Sequence, residues 1–194
     1  MGFWRRLLSV VFGLLLWTVD AQAHDPFEIT TDARLAEGHL KVRITMARKT
    51  ALQACLDHGV SEAALHAADF EIQRPELERC APELYVITDA DRPLHPEEVQ
   101  VILTEENDVE TTLLYPLPTT GPLRFDAVHL KRLPDATYGA TLTVSAERIL
   151  FGQQLLRATE STLEVDVSRG PPSGRRAPVL PSFGNTFAWA SSTS

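Results

Sequence analysis

From Tyr138 to Ala146 every second residue (Tyr138, Ala140, Leu142, Val144 and Ala146) is apolar, and Gly139, Thr141, Thr143 and Ser145 stand between them. Side chains alternate across a strand, so this spacing predicts a strand with one face in a core and the other in water. The same alternation runs through Leu40-Val42-Ile44-Met46, Val99-Val101-Leu103 and Val109-Thr111-Leu113-Tyr115, and more briefly through Leu84-Val86 and Leu163-Val165-Val167. Phe27 to Leu35 and Ile149 to Thr159 read as further strands, with turns at Glu37-Gly38 and Asn107-Asp108.

Between Lys49 and Arg79 the period changes. Ala51, Leu52, Cys55 and Leu56 fall at helical spacing with Gly59 as a stop, Ser61 is placed to cap a helix over Glu62 to Ile72, and Pro75 is expected to end it. Seven or eight short strands with one helical excursion predict a mainly β chain, an antiparallel β-sandwich of the Ig-like kind with a short helical insertion. A doubly wound α/β fold would need a helix between successive strands.

The first 23 residues carry a separate signal. Arg5 and Arg6 precede the 13 uncharged residues Leu7 to Val19, and Ala21-Gln22-Ala23 is a small-x-small cleavage site, the pattern of a secretory signal peptide. As a helix that stretch would reach only about 20 Å, short of the roughly 30 Å of a bilayer's hydrocarbon. Residues 1–23 are thus read as a leader, 24–168 as the sandwich domain and 169–194, with its Gly170-Pro171-Pro172-Ser173-Gly174 run, as a flexible linker or tail. The destination is the periplasm or the exterior. There the two cysteines, Cys55 and Cys80, are expected to form a disulfide, because no CxxC spacing supports a metal or redox pair.

With 18 basic against 26 acidic residues, a net charge of −8 and no basic run longer than a pair such as Arg175-Arg176, the chain lacks the positive face that a nucleic-acid binder needs. GxSxG, HExxH, GxxxxGK[ST] and GxGxxG are all absent from the sequence. Asp89-Ala90-Asp91 opens like a calcium loop, but Pro93 and Leu94 occupy positions where an oxygen ligand and a glycine are needed, so a hairpin turn is the reading. Arg124, Lys131 and Arg132 could form a small basic spot, although an exposed strand face explains them as well. His58 lies at a helix end and His66 on the solvated side of a helix.

One metal reading stands beside these. Cleavage after Ala23 would leave His24 first, with its α-amine and imidazole on one residue able to chelate a single ion. A further imidazole from His39, His129 or His95 would complete a T-shaped copper or nickel site of the histidine-brace kind. The plain alternative is a polar residue at a frayed terminus. No other cofactor is called for.

The run Tyr115-Pro116-Leu117-Pro118-Thr119-Thr120-Gly121-Pro122-Leu123-Arg124-Phe125-Asp126-Ala127, then Leu130, Leu133 and Tyr138-Gly139-Ala140-Thr141-Leu142-Thr143-Val144, resembles the extracytoplasmic N-terminal domain of bacterial HupE/UreJ-like membrane proteins. The similarity covers about residues 24 to 187, with Pro181-Ser182-Phe183 where that family's linker enters the membrane part, and it is one of layout rather than of a catalytic signature. It implies an exported accessory or sensing domain and adds weight to the metal reading. The family's transmembrane helices, whose His and Asp residues are linked with nickel transport, have no counterpart here, so no transport residue carries over. The chain would then be a shortened form of a longer membrane protein.

The expectation is a non-catalytic, exported binding or accessory module that presents loops and a sheet edge to a membrane or soluble partner and does not itself span the membrane. A periplasmic copper or nickel binder built on His24 is the second reading. A hydrolase with a dispersed site is the third, since such sets converge from distant positions.

Overall fold

The computed structural model describes residues 28–116, 121–135 and 137–167. The leader over 1–23, His24 and the tail over 169–194 lie outside the described residues. The chain folds as two sheets packed face to face, the predicted β-sandwich with a helical insertion. Strands β1 (Glu28–Ala36) and β2 (His39–Ala47) form a hairpin whose turn residues Glu37 and Gly38 have φ of 51° and 80°. Helices α1 (Arg48–Ala54), α2 (Glu62–His66) and α3 (Phe70–Cys80) follow. The remaining strands are β3 (Val86–Asp89), β4 (Arg92–Pro93), β5 (Glu98–Leu103), β6 (Asp108–Pro116), β7 (Pro122–Asp126), β8 (Gly139–Ala146), β9 (Ile149–Arg157) and β10 (Thr162–Asp166).

The larger sheet has the order β5-β6-β2-β1-β8-β9 and the smaller one β10-β7-β3-β4. All pairings are antiparallel except that of β1 with β8, which is parallel and in continuous register from Glu28 opposite Gly139 to Leu35 opposite Ala146. Local alternation cannot reveal that direction, because a parallel neighbour needs only a long connection. The alternating residues do what their period requires. Leu40, Val42 and Ile44 of β2, Leu113 of β6 and Ala140, Leu142 and Val144 of β8 are wholly buried, and Ile87, Leu123 and Phe125 of the smaller sheet meet them from the other layer. Each Leu, Val, Ile or Phe among them contributes about 1.5–3 kcal/mol relative to exposure.

Two strand readings need correction. The alternation Leu84-Val86 does not place both residues on an inner face. A 3₁₀ turn over Ala81–Glu83 leaves Leu84 still helical (φ −67°, ψ −35°), so strand parity starts only afterwards. Ile87 then points inward and Val86 outward, 47% exposed. Strand β7 is absent from the predicted series of strands, although Leu123 and Phe125 alternate with Arg124 and Asp126, and it supplies the exposed strand face suggested for Arg124.

The helical insertion joins the two layers. Gly59 stops the first part in the left-handed region (φ 76°), and the Ser61 hydroxyl caps α2 by accepting the Ala64 N–H at 3.1 Å, both as expected. The predicted single helix over Glu62 to Ile72 instead breaks after His66 and restarts at Phe70, where Asp69 caps the Glu71 N–H. Pro75 lies inside α3 rather than ending it. The break is stabilised by side chains that occupy the freed carbonyls. Arg48 donates to Ala67 O and Ala68 O at 3.1–3.2 Å, and the buried Gln73 amide donates to Ala64 O and Ala67 O at 2.7 and 3.1 Å. Arg48 Nε also donates to Gln73 Oε1, which locks α1 to α3.

Cys55, just after α1, and Cys80, the last residue of α3, are joined in the predicted disulfide with their Cα atoms 5.7 Å apart. Both are buried, and the bridge closes a 25-residue loop, which corresponds to roughly 3 kcal/mol by loop entropy.

The larger sheet ends in β5 and β9, each with a neighbour beside it. Helix α3 packs on β5, and β10 turns back beside β9 through the reciprocal backbone bonds of Arg157 and Glu160. Gly152 of β9 permits that approach, since a Cβ there would stand 2.7 Å from Val165 Cγ1 of β10. Gly152→Ala is therefore expected to cost about 1–3 kcal/mol of unfolding free energy in urea, and Val165→Ala in the same chain to restore part of it. Additive losses in the double variant would contradict this packing.

Candidate functional site

The outer face of the smaller sheet carries a groove lined by polar and charged side chains. Its volume is about 170 Å³, and Val86 and Thr88 of β3, Asp91 of the β3–β4 turn, and Arg124 and Asp126 of β7 line it. The pleat explains the set. Residues opposite Ile87, Leu123 and Phe125 must face water, and the antiparallel register puts Val86 across from Asp126 and Thr88 across from Arg124.

The rim is held by buried polar contacts. Asp89 is 2% exposed and accepts the Gly121 N–H at 3.2 Å, while its other oxygen lies 3.7 Å from Arg92. Ala90 and Asp91 turn the chain with φ of 47° and 67°, and Ala90 N–H bonds Pro122 O at 3.2 Å. Gly121 lies so close to this turn that a Cβ would stand 2.4 Å from that of Ala90. Asp89-Ala90-Asp91 is thus the hairpin turn that the sequence indicated. Its first carboxylate is buried and its third residue exposed.

At the groove's other end Ser161 Oγ donates to Asp126 Oδ1 at 2.5 Å, and Lys131 Nζ lies 3.5 Å from the same oxygen. The suggested basic spot therefore does not form as one. Lys131 is engaged with Asp126, Arg132 pairs with Glu83 at 3.8 Å, and Arg124 alone faces the groove.

The histidines singled out by sequence fall into different surroundings. His24 lies outside the described residues. His39 begins β2 half-exposed, its Nδ1 bonded to the Glu37 carbonyl at 3.1 Å and its Nε2 3.9 Å from Glu97. His95 and His66 are exposed. His129, in a 3₁₀ turn over Val128–Lys131, is wholly buried. Its Nδ1 donates to the Leu84 carbonyl at 2.8 Å, which fixes the tautomer and leaves Nε2 as a bare acceptor without a partner among the described residues. Its ring packs against Tyr85 with centroids 5.0 Å apart, and the Tyr85 hydroxyl is hydrogen bonded to that of Thr31 at 2.9 Å. Among the described residues no three His, Cys, Asp or Glu side chains are grouped to hold a metal ion.

Sequence reasoning missed both the groove and the Tyr85–His129 contact. The signal for the first was the alternation around Arg124. The second joins residues far apart in the chain and left no local trace. The groove presents a guanidinium, two carboxylates, a hydroxyl and an exposed valine on one sheet. No family model matches the chain, and no curated protein is significantly similar to it.

Burial holds the His129 imidazole well below its ordinary value of 6.5, at about 4, with the Arg132 charge acting in the same direction and the Leu84 carbonyl against it. The unfolded chain takes up this proton near pH 6.5 and the folded one only near pH 4. The stability due to the neutral ring is therefore complete above the unfolded value and falls as pH drops toward 4, by roughly 3 kcal/mol in all. Urea unfolding between pH 7.5 and 4 should show that loss, with a flatter profile for His129→Phe; identical profiles for the two proteins would refute it.

Proposed function

We propose that this chain is an exported, non-catalytic binding or accessory module that engages a membrane or soluble extracytoplasmic partner. The observation that carries this reading is the buried Cys55–Cys80 bridge, which clamps the helical insertion and suits an oxidising compartment. No described helix is long and apolar enough to cross a membrane, which agrees with a module that works beside one. The likeness to HupE/UreJ-like extracytoplasmic domains points the same way. In this reading the contact surface is the outer face of the smaller sheet, which carries the groove on β3 and β7.

The test is capture from the source organism's membrane and soluble extracytoplasmic fractions on immobilised oxidised protein. A stoichiometric partner is expected, and Thr88→Arg combined with Arg124→Glu should lose it at unchanged circular dichroism. Equal recovery by both proteins, or no partner at all, would count against the reading.

A second reading rests on the place of His24 directly after Ala21-Gln22-Ala23. For a copper or nickel chelate there, His39 and His95 are the accessible third ligands, while the His129 ring is enclosed. Protein whose N-terminus is verified as His24 should bind Cu(II) at least tenfold more tightly than its His24→Ala variant. Equal affinity would mean adventitious surface binding.

A further inference from the structure

We propose that the groove on β3 and β7 is a site for a small amino-acid-type zwitterion, a free ligand bearing one carboxylate and one ammonium group. The inference rests on the reading of the chain as a binding module and supplies the chemical class of a ligand for it.

The charges in the groove carry the argument. Of its two carboxylates, Asp126 is satisfied within the protein, by the Ser161 hydroxyl and the Lys131 ammonium. Two groups of opposite sign are left. The Arg124 side chain, exposed at the middle of β7, makes no ion pair or hydrogen bond with any described residue, and the same holds for the Asp91 carboxylate in the strained turn. Glu164 stands directly across from Arg124 on β10, yet no ion pair forms between them.

A plain anion drawn to Arg124 would also face Asp91 and Asp126, and a plain cation drawn to Asp91 would face Arg124. Each single-charge ligand therefore meets a like charge in the groove, while a ligand with both signs meets a complement to each. Arg124 presents the forked donors that match a carboxylate. Thr88, across from Arg124, adds a hydroxyl that can donate or accept, and Val86, 47% exposed and across from Asp126, offers an apolar contact at the end of the groove away from Asp91.

Size sets the scale. A volume of about 170 Å³ is far below a drug-sized pocket and close to that of a cavity that admits benzene, so the part of the ligand held in the groove is on the order of ten heavy atoms or fewer. Amino acids with short side chains or short ω-amino acids meet that limit. The groove is rigid where it matters, since Gly121 against Ala90 and the Asp89 carboxylate on the Gly121 N–H fix the turn that carries Asp91.

The experiment is an NMR titration of the isolated oxidised protein, following the Val86 methyls and the Thr88 and Arg124 amides. The probes are glycine, L-alanine, β-alanine, 4-aminobutyrate and 6-aminohexanoate, which vary the spacing of the two charges. Propionate and ethylamine are the single-charge fragments of alanine. At least one zwitterion should saturate these signals with an affinity ten times or more that of either fragment. Arg124→Gln and Asp91→Asn should each weaken it at least tenfold while leaving the remaining spectrum in place.

No saturation by any zwitterion, or fragments that bind as well as the zwitterions, would overturn the proposal, as would variants that bind unchanged. Partner capture separates this outcome from the broader reading. A partner lost on mutating the face, with no zwitterion bound, leaves the module standing and removes the ligand class. A zwitterion bound with no partner captured does the reverse.

Discussion

The Cys55–Cys80 bridge is the constraint on which the arrangement depends. The 48–83 region leaves β2 in one sheet and must deliver the chain to β3 in the other, and it does so through short helices that would be marginal alone. The covalent tie fixes the end of α1 to the end of α3, and the Arg48–Gln73 contact repeats the tie noncovalently. With the insertion held, Leu84 and Tyr85 enter the core at the start of β3, and Tyr85 meets both Thr31 of β1 and the His129 ring. The register of the smaller sheet, and so the groove on its outside, follows from that entry point.

Much of this architecture is written in the alternation of side chains. β2, β6 and β8 could be read residue by residue because each buries one face against a second layer, so the period is enforced by water on one side and packing on the other. The elements that escaped are those where something nonlocal overrides the pattern. The break between α2 and α3 exists because Arg48, some twenty residues earlier, supplies donors for the carbonyls of Ala67 and Ala68. The parallel pairing of β1 with β8 joins segments more than a hundred residues apart, and no local spacing encodes it.

The candidate site was less legible than the fold. Histidine was a natural residue to follow, yet His129 turned out to be a core residue whose Nδ1 serves the Leu84 carbonyl. The groove is made of Val, Thr, Asp and Arg on an exposed strand face, residue types that a sequence reading assigns to solvation. Only the geometry shows that the Asp126 carboxylate is engaged while Arg124 and Asp91 are not.

The buried Cys55–Cys80 bridge suits a compartment where thiols are oxidised. The most direct test of this is alkylation mass spectrometry on the protein drawn from its native source, quenched in acid before fractionation. The account predicts no alkylation of Cys55 or Cys80 without prior reduction, and two adducts after it. Two adducts in the untreated protein, at full native ellipticity, would contradict it.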